Sequence, residues 1–348
     1  MNTIGSIFRF TDFGESHGVA VGGVLDGCPS EMVLDMDAIR YDLDRRAGRV
    51  GEFSAFISPR AKEEEDEIEW LSGLHEGATL GSPIAFIVRN KQARAADYAS
   101  LKGGYRPGHA DYTYACKYGV PPMSGGGRAS ARETVARVVA GAIAKQVLKK
   151  MGVTVESKIV QIGSETEKES MIRLLEEVRA AGDSIGAIVH TSVKGVPAGV
   201  GEPIFDKLQA RLAAAVMSIN ACKGFAYGSG FKDVALRGSE LNDAMPYRTN
   251  HAGGILGGIS NGQEIYFDAV FKPTPSIRIK QQTVDAFGGV VDIAITGRHD
   301  VCVGIRAVPV VEAMTALTMV DMCLAANIFE KNSQFFGCIG NPSYICNR

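Results

Sequence analysis

The chain has 348 residues, 45% of them apolar and 22% charged, which excludes a disordered protein because a packed core can be built throughout. Its 37 basic and 39 acidic residues give a net charge of −2, which argues against a general polyanion binder and requires any basic site to be local. Since no run of 18 apolar residues and no signal-peptide pattern occur, we expect no membrane span and a cytoplasmic location.

Helical and strand periodicities alternate irregularly along the chain. The longest predicted helix begins at Ser130, where Ser130 and Glu133 have the spacing of a capping box, and stops at Gly152. Further helices are predicted over residues 170–181, 206–217 and 308 to about 330, and strands over residues 19–25, 185–193, 264–271 and 290–296. This mixed order favours an α+β fold over a doubly wound sheet.

The domain organisation is simple. No linker rich in Ser, Pro or charge divides the chain, so we expect a single domain over residues 1–348, with residues 335–348 unassigned. The seven cysteines are scattered without a C-x-x-C pair, which argues against a disulfide framework and structural zinc. The acidic run over residues 63–69 is interpreted as a solvated loop and not as a site.

Familiar phosphate-loop, dinucleotide, zinc-protease and hydrolase motifs are absent, and glycine-flanked polar loops stand out instead. His17 lies between Gly14 and Gly18, where an imidazole could donate a proton near neutral pH. In a second loop, Asp111 follows His109 with the spacing of an H-x-D pair that could orient the imidazole, and metal ligation is the competing interpretation. Each of these histidines also has a purely structural alternative.

Several other segments indicate anion binding. The glycine-rich residues 124–130 deliver Arg128 to a helix start, where free N–H groups and Arg132 favour a phosphate; an ordinary capped helix is the alternative. Arg46 and Arg49 could grip one anion, although acidic neighbours could also pair with the local arginines. The glycines of residues 250–258 would let backbone lie against a planar ligand, and prolines in residues 272–276 would stiffen a hydrogen-bonding edge.

Taken together, the motifs resemble those of the chorismate synthase family over about residues 3–325. The matching segments are Gly14-Glu15-Ser16-His17-Gly18, Asp44-Arg45-Arg46, Arg106-Pro107-Gly108-His109-Ala110-Asp111-Tyr112, Gly126-Gly127-Arg128, Ser130-Ala131-Arg132-Glu133, Ser218-Ile219-Asn220-Ala221, Asn250-His251-Ala252-Gly253-Gly254, Lys272-Pro273-Thr274, Gly297-Arg298-His299-Asp300 and Arg306-Ala307-Val308-Pro309.

The resemblance implies a β-α-β sandwich with central helices between antiparallel sheets, assembled as a homotetramer. It also implies an anti-1,4-elimination of phosphate from 5-enolpyruvylshikimate 3-phosphate to give chorismate, the last step of the shikimate pathway. That reaction requires reduced FMN without net redox change. NADPH enters only indirectly, through flavin reduction by an external reductase. No metal, nucleic acid or membrane partner is implied.

Residue roles follow from the same resemblance. His17 resembles the histidine that assists phosphate departure, His109 the one that protonates or steadies reduced flavin, and Asp300 the aspartate near the flavin. The substrate anions would be bound by Arg46, Arg49, Arg132 and Arg306. The residues that resemble the flavin site are Arg128, Ala129, Ser130, Asn220, Ala221, Gly257, Lys272, Pro273, Thr274, Pro275, Ser276 and Arg298.

Three other functions remain open from the sequence. A flavin- or nucleotide-dependent oxidoreductase could use the same phosphate-binding loops for its cofactor. A non-catalytic anion-binding protein could carry them without turnover, and a metal-dependent lyase would lose activity with a strong chelator.

Overall fold

The computed structural model describes residues 1–63, 65–91, 104–120, 122, 124–285, 287–295 and 299–326. Within these residues the α-helices are α1 (Met36–Ala47), α2 (Pro59–Glu63), α3 (Asp111–Tyr118), α4 (Thr134–Lys150), α5 (Lys168–Ala181), α6 (Leu208–Met217), α7 (Gly238–Leu241) and α8 (Gly304–Ala325). Short 3-10 helices span Ser54–Phe56, Ser124–Ala129, Ala131–Glu133 and Gly230–Ala235. The unassigned tail lies outside the described residues.

The described strands form two main antiparallel sheets and three small hairpins. The first sheet has the order β1 (Thr3–Ile4), β2 (Arg9–Gly14), β3 (Ala20–Asp26), β7 (Ile84–Arg89), β4 (Ile68–Ser72). The second has the order β10 (Cys222–Tyr227), β13 (Ile265–Phe271), β9 (Ala187–Lys194), β8 (Thr154–Ile162). The hairpins are β5 (Leu74–His75) with β6 (Ala78–Thr79), β11 (Ile255–Leu256) with β12 (Ile259–Ser260), and β14 (Gln281–Val284) with β15 (Val290–Ile293).

The two longest helices lie between the two sheets. α4 packs on β3 of the first sheet, α8 packs on β8 and β9 of the second, and the two helices pack on each other. Gly141 of α4 allows this close contact, since a Cβ there would lie 2.2 Å from the Cβ of Ala313 in α8. The predicted α+β class and layered arrangement are therefore confirmed.

Alternating burial along a strand shows which face of its sheet packs against the central helices. In β9 the side chains of Ala187, Val189, Thr191 and Val193 are buried while their neighbours are partly exposed, as expected for a sheet covered on one face. α8 is different: its apolar residues continue around the helix, and it is the one described helix long and apolar enough to cross a membrane. Because 89% of its apolar window is buried inside the protein, it acts as the central core helix.

Most predicted elements are confirmed, with small shifts at their ends. The strand predicted over residues 19–25 spans Ala20–Asp26, and the helix predicted over residues 206–217 spans Leu208–Met217. The helix predicted from residue 308 begins earlier, at Gly304, and its described part ends at Ala325. Gly304 packs against β9, where an added Cβ would lie 2.6 Å from the Cβ of Ala187, so tertiary packing sets that start.

The long helix α4 corrects one local prediction. Its α-helical part begins at Thr134, after a 3-10 turn, and the Ser130 side chain accepts a hydrogen bond from the Arg132 N–H at 3.4 Å. The predicted capping box is wrong because Glu133 is buried and its carboxylate instead binds Arg137 Nη2 at 2.9 Å. A buried ion pair has thus replaced the local return bond to the backbone.

Candidate functional site

A cavity of about 470 Å³ lies where α4 and α8 both begin. Ala131 and Arg132 line it at the start of α4, and Val303 and Arg306 line it at the start of α8. The N-terminal ends of helices carry partial positive charge, so both long helices favour an anion in this cavity. Its size falls within the usual range for small-molecule sites.

The lining of this cavity is strongly cationic. Three carboxylates, those of Glu65, Asp111 and Asp300, lie among the described lining residues. The basic side chains are more numerous, and they are Arg46, Arg89, Lys91, Arg106, Arg132, Lys272 and Arg306. A chain with a net charge of −2 therefore concentrates positive charge at one cavity, as the sequence analysis required.

Two of the predicted substrate arginines share one buried carboxylate. Asp66 has no exposed side-chain surface, and its two oxygens bind Arg46 Nη1 at 3.3 Å and Arg132 Nη1 at 2.5 Å. The Arg46 side chain is only 1% exposed and also donates to Thr134 Oγ1 at 3.1 Å and Ala131 O at 3.2 Å. The interpretation of residues 63–69 as a solvated loop fits the exposed Glu67 and Glu69 but is wrong for Asp66, whose buried carboxylate compensates guanidinium groups.

A second set of contacts joins the start of α8 to the same group. Arg306 Nε donates to the backbone oxygen of Arg46 at 2.8 Å, and Arg306 Nη1 binds Asp300 Oδ2 at 3.2 Å. The other oxygen of Asp300 accepts the Ser58 N–H at 2.9 Å. Residues far apart in the chain are thereby fixed relative to one another. We call Arg46, Asp66, Arg132, Asp300 and Arg306 the arginine cluster.

His17 reaches the cavity from the turn between β2 and β3. Gly14 ends β2 at φ +101°, where an added Cβ would lie 2.3 Å from the backbone oxygen of Ala20, so a side chain there is excluded. The turn is closed by the Gly18 N–H, which donates to Glu15 O at 3.0 Å. His17 Nδ1 lies 3.1 Å from the hydroxyl of Ser16, which is itself buried. The predicted placement of this imidazole at a glycine turn is confirmed.

The second histidine loop corrects the predicted H-x-D pair. Asp111 makes no hydrogen bond to His109; it binds Arg106 through two bonds of 2.7 Å and also accepts the Arg106 N–H at 3.1 Å. His109 instead has Nδ1 3.0 Å from Pro107 O and Nε2 2.9 Å from Ser276 Oγ. The forked guanidinium offers a carboxylate two parallel charge-assisted bonds, which a neutral imidazole cannot match.

Burial, and next the positive charge of Arg106, lowers the pKa of His109 from 6.5 to about 4. At neutral pH the imidazole is therefore uncharged. Because a carbonyl oxygen only accepts, the neutral ring carries its proton on Nδ1 toward Pro107, and Nε2 accepts the Ser276 hydroxyl proton. In the absence of ligand His109 is thus a hydrogen-bond acceptor at the cavity.

The segment after β13 lies beside His109, a proximity that the sequence did not predict. Lys272 Nζ donates to Gly108 O at 2.7 Å, and Thr274, Pro275 and Ser276 line the cavity with it. Thr274 Oγ1 is buried and has no hydrogen-bond partner among the described residues. We call His109, Lys272, Thr274 and Ser276 the histidine cluster.

Asn220 and Ala221 line the same cavity, as do Ala129 and Ser130. The Asn220 amide donates to Ala129 O at 2.8 Å, which joins the two segments. Its carbonyl Oδ1 is buried and, within the part of the chain described, accepts no hydrogen bond. Buried polar atoms are almost always satisfied in folded proteins, so this oxygen and Thr274 Oγ1 are available to a ligand.

Other predicted residues lie away from the described cavity lining. The Arg128 guanidinium pairs with Asp12 and lies 3.7 Å from Glu133 Oε2, and Arg128 does not line the cavity. Arg49 binds Asp44 at 2.6 Å and donates to Lys62 O at 3.3 Å, and it is not among the described residues that line the cavity. Pro273 is absent from the described lining too, and Arg298 lies outside the described residues.

The glycine-rich loop of residues 250–258 is also separate from the cavity lining. Its turn is held by Asp243, whose oxygens accept the N–H groups of His251 and Ala252 at 2.9 Å. Gly257 then forms the tip of the β11–β12 hairpin. Residues 250–258 do not line this cavity in the single chain described, and their contact with a planar ligand stays a prediction.

A larger groove of about 1090 Å³ lies beside α1, α4 and β8, but its charged floor is internally neutralised. Glu312 binds Arg45 Nη1 at 2.6 Å and Lys145 Nζ at 3.1 Å, and these cations also bind Asp42. These bonds hold the pKa of Glu312 below its ordinary value against the effect of burial. The smaller cavity, where the histidines and arginines meet, is accordingly the candidate active site.

The fold and this cavity define the class: an α+β enzyme whose cationic cavity is lined by three histidines and two aspartates. The family model described as chorismate synthase matches residues 8–324. A chorismate synthase of Porphyromonas gingivalis is 49% identical, with 94% of this chain and 96% of the relative covered. One of Parabacteroides distasonis is 47% identical, with 93% and 98% covered.

A solved structure described as a crystal structure of chorismate synthase agrees with these matches. It superposes with a TM-score of 0.73 at 26% sequence identity, and the match covers 96% of this chain and 97% of that chain. The chain belongs to the chorismate synthase family. Enzymes of this family are lyases that eliminate phosphate, and the oxidoreductase alternative is not favoured.

Proposed function

We propose that this chain converts 5-enolpyruvylshikimate 3-phosphate to chorismate in the cavity at the starts of α4 and α8. The observation that carries the proposal is the meeting of His17, His109 and Asp300 with several buried or half-buried arginines around one cavity. In the reaction the C–O bond to phosphate breaks, a ring proton leaves, and a carbon–carbon double bond forms, so atoms and electrons balance without net oxidation.

Substrate binding is assigned to the arginine cluster. A substrate with one phosphate and two carboxylates needs several fixed cations, and planar guanidinium groups suit such anions. Arg46, Arg132 and Arg306 are held by Asp66, Asp300 and backbone oxygens, so their positions are set before an anion arrives. We propose these three as the anion ligands and give Arg49, which binds Asp44, no direct role.

The flavin site is assigned to Asn220, Thr274 and their neighbours, which line the same cavity. Asn220 Oδ1 can accept an N–H of a planar heterocycle, and Thr274 Oγ1 can donate to or accept from it. Neither atom has a partner among the described residues, so the cavity fits such a group. Ala129, Ser130, Ala221, Lys272, Pro275 and Ser276 would complete the site. Reduced FMN, when bound, supplies electron density to the reacting ring and recovers it.

Three side chains are assigned to proton handling. His17 would donate a proton to the departing phosphate, for which an imidazole is suited near neutral pH. His109, neutral without ligand, would gain a proton when anions bind beside it, because nearby negative charge raises a histidine pKa. Asp300, oriented by Ser58 and Arg306, would accept the ring proton.

We also propose the assembly, source of reductant and location that the family implies. Exposed apolar side chains such as Phe205, 86% exposed, and Phe231, 80% exposed, support burial against other copies in a homotetramer. The described cysteines are all free thiols, which supports a reducing, cytoplasmic compartment. One hydrophobic cluster running from Phe8 to Cys323 supports a single domain. Reduced FMN would come from an external NADPH-dependent reductase.

The experiment is an anaerobic assay of the purified protein with 5-enolpyruvylshikimate 3-phosphate and chemically reduced FMN. Phosphate release and chorismate absorbance are followed together, and oxidised FMN serves as the control. We expect equal amounts of both products with reduced flavin alone. A folded protein that binds flavin and releases no product would reject the proposal.

A further inference from the structure

Asn90 lies directly after β7, beside the turn that carries His17. Its backbone N–H donates to Val19 O at 3.1 Å, which extends the pairing of β7 with β3 by one bond. Its side-chain Nδ2 donates to two further carbonyl oxygens, Glu15 O at 2.8 Å and Gly18 O at 2.9 Å. One side chain thus holds the backbone on both sides of His17.

The same amide also contacts the arginine cluster. Asn90 Oδ1 accepts a hydrogen bond from Arg132 Nε at 3.0 Å, while Arg132 Nη1 binds the buried Asp66 at 2.5 Å. The planar amide of Asn90 therefore links Arg132 directly to the turn that carries His17. Both amide protons and one lone pair of Asn90 are used inside the protein.

We propose that Asn90 is a positioning residue that fixes the His17 imidazole relative to the Arg132 guanidinium. The inference rests on the function proposed above, in which Arg132 binds an anionic group and His17 gives a proton to the departing phosphate. Donor and anion must then be held at a fixed separation, because small displacements of a catalytic group cost large factors in rate.

The chemistry of the position explains why an amide is suited to it. A carboxylate would keep the bond to Arg132 but would place negative charge against two carbonyl oxygens. An aliphatic side chain would lose all three bonds, and a hydroxyl is too short to reach three partners at once. Only an amide supplies two donors and an acceptor from one branch point at this length.

The test compares Asn90→Ala and Asn90→Asp with the matched control Gln146→Ala. Gln146 also clamps backbone through its amide, since it accepts from Asp35 N at 2.8 Å and donates to Asp35 O at 3.0 Å, but it does not line the active-site cavity. We expect kcat to fall about 10- to 100-fold in both Asn90 variants. The KM for the substrate should change less than kcat, and Gln146→Ala should stay near wild type.

A double variant distinguishes positioning from a general structural effect. If Asn90 acts through His17, then Asn90→Ala combined with His17→Ala is no slower than His17→Ala alone, because the positioned group is gone. Losses that multiply in the double variant would overturn the proposal, as would wild-type kcat in both Asn90 variants.

A readout independent of turnover separates this proposal from the assigned reaction. The chain has six histidines, so the ring C–H signal of His17 can be assigned by NMR with His17→Ala in the protein without substrate. We expect Asn90→Ala to change the chemical shift of this signal and Gln146→Ala to leave it unchanged. An unchanged His17 signal in Asn90→Ala would contradict the positioning role even if the enzyme is active, whereas an inactive wild type would reject only the assigned reaction.

Discussion

The arginine cluster and the histidine cluster border one cavity, yet they are prepared for ligands in opposite ways. In the arginine cluster every guanidinium already has a carboxylate partner: Asp66 binds both Arg46 and Arg132, and Asp300 binds Arg306. The histidine cluster instead keeps a neutral, desolvated imidazole and a buried hydroxyl without a partner among the described residues.

This difference teaches how a cavity can bind a highly charged substrate beside an uncharged ring. Buried guanidinium groups need a resident carboxylate, because an uncompensated buried charge strongly destabilises the fold. A planar heterocycle needs few charges but specific hydrogen-bonding atoms, and leaving such an atom open costs about 1–3 kcal/mol, less than leaving a buried charge unpaired. We therefore expect substitutions in the two clusters to differ in whether stability or ligand affinity changes.

The largest expected effect is on stability and comes from Asp66→Asn, which keeps the shape of the side chain and removes its charge. Two buried guanidinium groups would then share no carboxylate. Because breaking a buried ion pair typically costs about 3–5 kcal/mol, the free energy of unfolding should fall by that order. Chemical denaturation of the protein without ligand measures it.

Glu69→Gln is the matched control for Asp66→Asn. Glu69 belongs to the same acidic segment and binds Arg89 at 2.6 Å, but both side chains are half exposed. Exposed ion pairs contribute little, so its unfolding midpoint should match that of wild type. Equal destabilisation by the two variants would mean that the burial of Asp66 has no special importance.

The next effect is a pH dependence that belongs to the histidine cluster. The folded-state pKa of His109 is about 4, below its ordinary 6.5, so the unfolded chain binds this proton first as the pH falls. Above pH 6.5 His109 is neutral in both states and the free energy of unfolding has its full value. As the pH falls from 6.5 toward 4, protonation of the unfolded chain lowers that free energy. By pH 5 the loss should be about 2 kcal/mol.

The comparison of wild type with His109→Gln isolates this contribution, because all other titrating groups are shared. The difference in free energy of unfolding between the two proteins should change in the stated direction between pH 7 and pH 5. A difference that does not vary with pH would show that His109 titrates normally in the folded protein.

Local sequence signals predicted much of the fold and part of the site. The helical period of α4, the alternation in β13 and the glycines around His17 act within a few residues, and each was confirmed. The family resemblance predicted that residues from distant segments act together. In the structure His17, His109 and Asp300 line one cavity.

The wrong predictions share a physical cause, which is competition between partners that are remote in sequence. Asp66 looked like part of a solvated acidic run because nothing local shows that Arg46 and Arg132 need its carboxylate. Asp111 binds Arg106 and not His109, and Glu133 binds Arg137 and does not cap the helix. The near balance of 37 basic and 39 acidic residues was the available signal that clustered arginines have carboxylate partners elsewhere in the chain.

The central claim, that the arginine cluster binds substrate and the histidine cluster binds flavin, can be tested by titrating both ligands into two variants. Arg306→Gln removes charge-assisted bonds and should weaken substrate binding about 10- to 100-fold, with FMN affinity unchanged. Thr274→Val removes only a hydroxyl and should weaken FMN binding about 3- to 10-fold, with substrate affinity unchanged. Variants that each weaken both ligands equally, or that show the reverse pattern, would contradict the assignment.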